Sequence, residues 1–226
     1  MCNPRTAVHA PARQRHRGSA AYARILLFGF AALAGCSWLH PSPAIDEHVN
    51  LIAVMPTERE EAGGAPSADT RPRIKVGAER VVTAEIYSVL ANSTKWRFVP
   101  DLTVVQALPK IGTQGSLQSR ARELGTAVKA DAVLFGTVSR YKERIGGEYG
   151  AQEPASVAFT LSLVSVSTGK ILWTGKFDQT QEPLSSNLLN WWQFWRAGPR
   201  WFSAEEFTRL GVERLLDELS GKLGLD

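Results

Sequence analysis

Beyond His48 the chain contains neither cysteine nor histidine; Cys2 and Cys36 are its two cysteines, and His9, His16, His40 and His48 its four histidines. Ser-His-Asp and Cys-His nucleophiles need an imidazole beside the attacking atom, and ordinary zinc sites need His or Cys. Both chemistries are therefore excluded from whatever folds after His48, and no disulfide can form there. The chain also lacks a nucleotide cradle. Gly63-Gly64 is followed by no Gly-Lys-Ser/Thr, and the dinucleotide fingerprint is missing. Neither a metal nor an organic cofactor is expected. The apolar run Ile25 to Leu33 is far short of the ~20 residues needed to span a bilayer core.

That short run has another meaning. Arg5, Arg13, Arg15, Arg17 and Arg24 precede or border it without a single acid, and it ends in Leu33-Ala34-Gly35-Cys36. A basic stretch, a brief apolar stretch and small residues before a cysteine make an export signal ending in a bacterial lipobox, whose cysteine sulfur takes a diacylglycerol. The expected organisation is a lipoprotein signal peptide over 1–35, lipidated Cys36 with a tether over 36–48, and one domain over 49–226. Ser37 rather than Asp follows the cysteine, which resembles an outer-membrane sorting signal, so the expected location is the periplasmic face of that membrane. Removing 1–35 takes five arginines from the 26 basic residues and none of the 22 acids, leaving a formal charge of −1. The high isoelectric point of the whole chain is then no argument for nucleic acid.

The domain is organised around Ala130 to Gln179, which reads as three successive antiparallel strands. Ala132 to Val138 is apolar on both faces, as a doubly covered strand should be. Val157, Phe159, Leu161 and Leu163 alternate with Ser156, Thr160 and Ser162. Ser167-Thr168-Gly169-Lys170 is a hairpin turn, after which Ile171, Trp173 and Phe177 should share one face, opposed by Leu172, Thr174, Lys176 and Asp178. Upstream, Val49 to Met55 reads as a strand closed by Pro56, and Thr57 to Arg73 as a loop. Val76 to Ala91 is an amphipathic helix with Val81, Val82, Ala84, Ile86, Val89 and Leu90 on its apolar side. Trp96 to Val99 is a short strand. Asp101 caps a helix burying Leu102, Val105 and Leu108, and Ser116 opens another with Leu117, Ala121, Leu124 and Val128 inside. The fold class is α/β: one mixed sheet of about five strands, including the antiparallel meander, with helices packed on it.

Leu51 to Pro56, Ala130 to Val138 and the Ser-Thr-Gly-Lys turn before Ile171-Leu172-Trp173, in this order after a lipobox, resemble the periplasmic lipoprotein group that includes the curli-secretion protein CsgG, the TolB N-terminal domain and the penicillin-binding-protein activator LpoB. The resemblance covers about Val49 to Gln179. It implies no enzyme, but assembly, secretion or activation of envelope machines through protein contacts. The link Lys142 to Pro154 is too short for the long barrel strands of the channel-forming relatives. Asp131, Glu143, Glu148, Glu153 and Asp178 could in principle supply a glycosidase-type carboxylate pair, but no spacing among them is diagnostic; turn caps and solvated positions are the plainer reading.

The tail holds four of the seven tryptophans within a short stretch, as Trp191, Trp192, Trp195 and Trp201, beside Arg196 and Arg200. Packing on the sheet is one reading of these rings; the other is a partner or membrane contact, where Trp and Arg are enriched. Ser203 to Glu206 then forms a capping box opening the last helix. The expected function is a lipid-anchored periplasmic protein that binds an envelope protein partner, in assembly or regulation of a cell-envelope complex. The alternatives are an oligomeric component of a secretion or export system, in which self-association would occur, and an envelope hydrolase.

Overall fold

The computed structural model describes residues 45, 47–60, 74–181 and 200–225. Residues 1–35, expected to be a signal peptide, together with Cys36, Gly63-Gly64, Trp191, Trp192, Trp195 and Arg196, lie outside the described residues. The main sheet contains β1 (Ile52–Val54), β2 (Glu58–Arg59), β3 (Ala132–Lys142), β6 (Ser156–Ser165) and β7 (Ile171–Thr180), in the order β1-β3-β6-β7 with β2 also on β3. A second, two-stranded sheet is made by β4 (Ile145–Gly147) and β5 (Gly150–Glu153). Four α-helices complete the described fold: α1 (Ala78–Ala91), α2 (Asp101–Ala107), α3 (Leu117–Val128) and α4 (Ala204–Leu223).

β1 runs parallel to β3, pairing Ala53 with Val133, while β3, β6 and β7 form the expected antiparallel meander. After Met55, whose N–H donates to the Leu134 carbonyl at 2.9 Å, the ladder is interrupted at Thr57, whose N–H donates instead to Thr83 Oγ1 at 2.9 Å. Pairing resumes at β2, with Glu58 opposite Thr137, so part of the expected loop is strand. Conversely, Trp96 to Val99 is reduced to one bridge between Phe98 and Ile52.

Helices cover both sides of the sheet. On one side α1 and α4 pack on Leu134, Val138, Tyr141, Val157, Phe159, Leu161, Leu163, Trp173 and Phe177. On the other, α2 and α3 pack on Ala53, Met55, Val133, Phe135 and Val164. Two irregularities set which residues face which layer. A register shift between Val138 and Arg140 inverts the alternation of β3, sending Tyr141 into the α1–α4 core and Arg140 to the opposite, polar face. A second shift, between Leu163 and Val164, does the same at the start of β7. Ile171 is therefore exposed and Leu172 packs against the core, the reverse of the expected faces.

The expected inward face of α2 is also corrected. Val104 and Ala107 are buried, whereas Leu102 and Val105 are exposed and Leu108 is half-buried in a 3-10 turn. On α1 the core stripe is Ala78, Val82, Ile86 and Leu90, and Ala84 faces solvent. Asp101 is the first helical residue rather than the cap, with Pro100 before it. Ser116 caps α3 as expected, accepting from the Ser119 N–H.

Two glycines have specific duties. Gly169 adopts φ +72° in the β6–β7 turn, a conformation open to glycine at little cost. Gly211 lets α4 approach the sheet: a Cβ there would lie 2.7 Å from the Phe177 ring and 2.9 Å from Phe159. Gly211→Val is expected to lower unfolding free energy by ~1–3 kcal/mol, the usual cost of overpacking. A chemical-denaturation midpoint unchanged from the parent would contradict this close approach.

Two tyrosines are built into the core. Burial, reinforced by Glu143, pushes Tyr141 up to about 12. Burial and then Asp101 do the same for Tyr87, whose hydroxyl donates to the Val54 carbonyl at 3.1 Å. An unfolded phenol ionises near 10. The stability these rings contribute is therefore fully present below that value and is lost as pH rises through about 12. Circular dichroism should show alkaline unfolding in that window, delayed in Tyr141→Phe; a flat profile would contradict the burial of both hydroxyls.

Candidate functional site

The ends of β3 and β7, the start of β6 and the beginnings of α1 and α4 meet at one pole of the sheet, where the β4–β5 hairpin also emerges. Side chains tie these segments together. The Glu143 carboxylate takes Lys75 Nζ at 3.1 Å and the Ala204 N–H at 3.3 Å, linking the approach to α1 with the first turn of α4. Arg144 donates to the Trp201 carbonyl, and the Trp201 N–H donates to the Glu148 carbonyl at 2.8 Å.

Arg200 lies between two carboxylates, 3.5 Å from Glu148 and 2.6 Å from Glu206, with its guanidinium 5.2 Å from the centre of the Phe202 ring. Burial pushes the Glu206 carboxyl up, but the Ser203 backbone N–H and Arg200 together hold it below its ordinary value. Glu206 and Ser203 also form the expected capping box. Arg200 therefore fastens the segment before α4 and offers no free charge. Trp201 beside it is half-buried, and Phe202 is buried.

The two ends of residues 182–199 are pinned by one side chain. Gln181 is buried; its Nε2 donates to the Arg200 carbonyl at 3.0 Å, and its Oε1 accepts from the Phe202 N–H at 2.7 Å. The stretch carrying Trp191, Trp192, Trp195 and Arg196 thus leaves and re-enters the fold at this pole. Gln181→Leu strands a buried N–H and should cost ~1–3 kcal/mol, measurable by urea unfolding. A loss under ~0.5 kcal/mol, the range of neutral surface changes, would show that the clamp is dispensable.

Apolar groups project from the same pole. Tyr149, at the hairpin tip, is 83% exposed, Val76 81% and Ile145 50%. These residues were missed from the sequence, although one aromatic set among Gly146, Gly147 and Gly150 in a connecting loop is a recognisable contact signal. Three neighbouring cations are paired within the fold: Lys75 with Glu143, Lys142 with Glu153 at 2.6 Å, and Arg200 with Glu148 and Glu206.

The five carboxylates considered for hydrolysis are all engaged. Asp131 accepts from the Asn50 and Leu51 N–H groups at 3.0 and 2.9 Å. Glu143, Glu148 and Glu153 hold the partners just named. Asp178 is paired with Arg140 and with Lys176 at 3.2 Å, and the Arg140 hydrogen bond holds its carboxyl below the usual carboxylate range. A general acid needs the opposite shift. Among the described residues no group of three or more His, Cys, Asp or Glu gathers as a metal site, and no described helix is long and apolar enough to cross a membrane. The arrangement is suited to contact with another macromolecule, made through projecting apolar groups on a braced base.

Residues 69–178 match the family model described as the peptidoglycan-synthase activator LpoB. The matched span runs from ahead of α1 into β7, so it includes the hairpin and stops before the tryptophan-rich stretch and α4. The matched model is thus that of the activator within the resemblance, and not of CsgG or the TolB N-terminal domain. No curated protein matches the chain. Among solved structures, the LpoB C-terminal domain from Salmonella enterica is 24% identical, with 61% of this chain and 88% of that one covered and a TM-score of 0.37. Lipoprotein GNA1162 from Neisseria meningitidis is 21% identical over 66% of this chain and 92% of that one, with a TM-score of 0.42. The PelC dodecamer from Paraburkholderia phytofirmans is 16% identical over 78% and 91%, also with a TM-score of 0.42.

Proposed function

We propose that this chain is a lipid-anchored lipoprotein of the outer membrane's periplasmic face that regulates a peptidoglycan synthase by binding it. The family-model match over residues 69–178 carries this reading. The chemistry of the pole supports it, because the carboxylates there are spent on bracing while Val76, Ile145 and Tyr149 are left outward. Cys36 is the proposed lipid attachment point, 1–35 the signal peptide, 36–48 the lipidated residue and a tether whose last residues, Ile45 and Glu47, already bond to the fold, and 49–226 the single working domain. The contact surface comprises the hairpin tip and Trp201, joined by Trp191, Trp192, Trp195 and Arg196 from the stretch that Gln181 roots beside them. Arg200 belongs to its support. The protein performs no chemistry of its own in this account, and it needs neither cofactor nor metal.

A photo-crosslinking amino acid at position 149 tests the reading in intact cells. Mass spectrometry of the adduct should recover a peptidoglycan synthase. Recovery of secretion components alone, or no adduct while the protein is folded and exported, would count against it.

A further inference from the structure

The two poles of the sheet differ in charge chemistry. At the hairpin pole Lys75, Lys142 and Arg200 are paired with carboxylates within the fold and Arg144 is held by the Trp201 carbonyl, leaving Arg80 at the start of α1 as an exposed cation in no ion pair among the described residues. At the opposite pole lie the β6–β7 turn with Lys170, the left-handed cap of α3 at Lys129, the last turn of α4 with Lys222, and Lys95 and Arg97 following α1. None of these five cations takes part in an ion pair among the described residues, whereas Arg59, Lys75, Arg120, Arg140, Lys142, Lys176, Arg200 and Arg209 all do. Lys95, Arg97, Lys129 and Lys170 are exposed and Lys222 half-exposed.

The chain from the proposed anchor enters at this same basic pole. The Ile45 N–H donates to the Lys222 carbonyl at 3.0 Å, and the Glu47 carboxylate accepts from Ser165 and Ser167 at 2.5 and 3.0 Å. Ile45 and Val49 pack against the α1–α4 core. The segment expected to be free tether is thus already part of the fold at Ile45. What separates Ile45 from Cys36 can extend at most ~30 Å at ~3.3–3.6 Å per residue. α4, which runs from the hairpin pole to the basic one, is itself ~30 Å long at 1.5 Å per residue.

We propose that the basic pole is a docking surface for anionic lipid headgroups, so that the membrane holding the anchor also orients the domain and turns Tyr149 away from it. Each Lys or Arg near an anionic leaflet contributes attraction that decays within a Debye length, and five unspent cations at the point of chain entry give that attraction a direction. The inference rests on the anchor at Cys36 and adds a second, electrostatic contact to it.

The test uses the full-length chain, processed in cells, purified and reconstituted into vesicles of phosphatidylcholine with or without phosphatidylglycerol. With the Cys36 sulfur occupied, a donor dye is attached at Thr168→Cys or Tyr149→Cys, and energy transfer to an acceptor on the lipid headgroups is measured. Transfer from position 168 should exceed that from position 149 severalfold in phosphatidylglycerol vesicles. The difference should shrink in neutral vesicles, in high salt, and in Lys95→Gln/Lys129→Gln/Lys170→Gln. Equal or reversed transfer in anionic vesicles would overturn the orientation. A difference unaffected by lipid charge, salt and the triple substitution would overturn its electrostatic basis. Labelled palmitate is followed in parallel: its absence sinks the anchor and the proposal with it, whereas its presence with the wrong order of transfer sinks the proposal alone.

Discussion

Cys36→Ala is expected to abolish incorporation of labelled palmitate and to move the protein from the membrane to the soluble fraction or leave it as uncleaved precursor. The effect should be all or none, because the attachment is additive in methylenes at ~0.8 kcal/mol each, and a single acyl chain gives only marginal, reversible binding. A diacylglycerol on one sulfur exceeds that threshold, and no other cysteine follows Cys36 in the chain to take its place. Basic residues at the entry pole add attraction but do not substitute for acyl chains. Palmitate labelling that survives the substitution would contradict the anchor.

The second large effect belongs to the hairpin. In Ile145→Ser/Tyr149→Ser the melting temperature should stay within a degree or two, since substitutions at exposed positions free of buried partners usually change stability by under ~0.5 kcal/mol. Partner capture and any stimulation of the partner should fall to background, because a contact surface concentrates its energy in a few aromatic and apolar anchors. The salt dependence should be weak, since Lys142 and Arg200 near Tyr149 are paired internally. A double variant that binds normally, or binding that collapses in moderate salt, would place the contact elsewhere, the exposed Leu102 and Val105 of α2 being the next surface to consider.

The sheet was legible in the sequence because large apolar residues alternate with small or polar ones from Ser156 to Leu163 and β3 begins as a doubly covered strand. What alternation could not reveal is where it changes phase. The shifts after Val138 and Leu163 each insert one residue, and the inward and outward assignments of Tyr141, Arg140, Ile171 and Leu172 depend on them. The inward face of α2 differs from the expected one for another reason. In so short a helix both Leu102/Val105 and Val104/Ala107 make plausible stripes, and docking against α3 and β1 decides between them.

Legibility was lower at the site. The tryptophan-rich stretch announced itself by composition, yet the residues that root it are Gln181 and Arg200, whose roles depend on partners distant in sequence. Tyr149 and Val76 are ordinary residues in ordinary loops until the fold brings β3, α1 and α4 to one pole. The docking of Ile45 and Glu47 was hidden because their partners, Lys222, Ser165 and Ser167, lie more than a hundred residues away, and nothing in Pro41 to Glu47 is periodic.

Whether this protein acts by contact with an envelope partner through the hairpin pole is decided by a reconstituted synthesis assay. The lipidated chain and a peptidoglycan synthase from the same cell are placed on vesicles, and glycan strand formation is followed as the lipoprotein is titrated in. The rate should rise and saturate with a one-to-one complex, and should stay at the basal level with Ile145→Ser/Tyr149→Ser. A basal rate with the parent protein, or equal stimulation by the parent and the double variant, would contradict that contact.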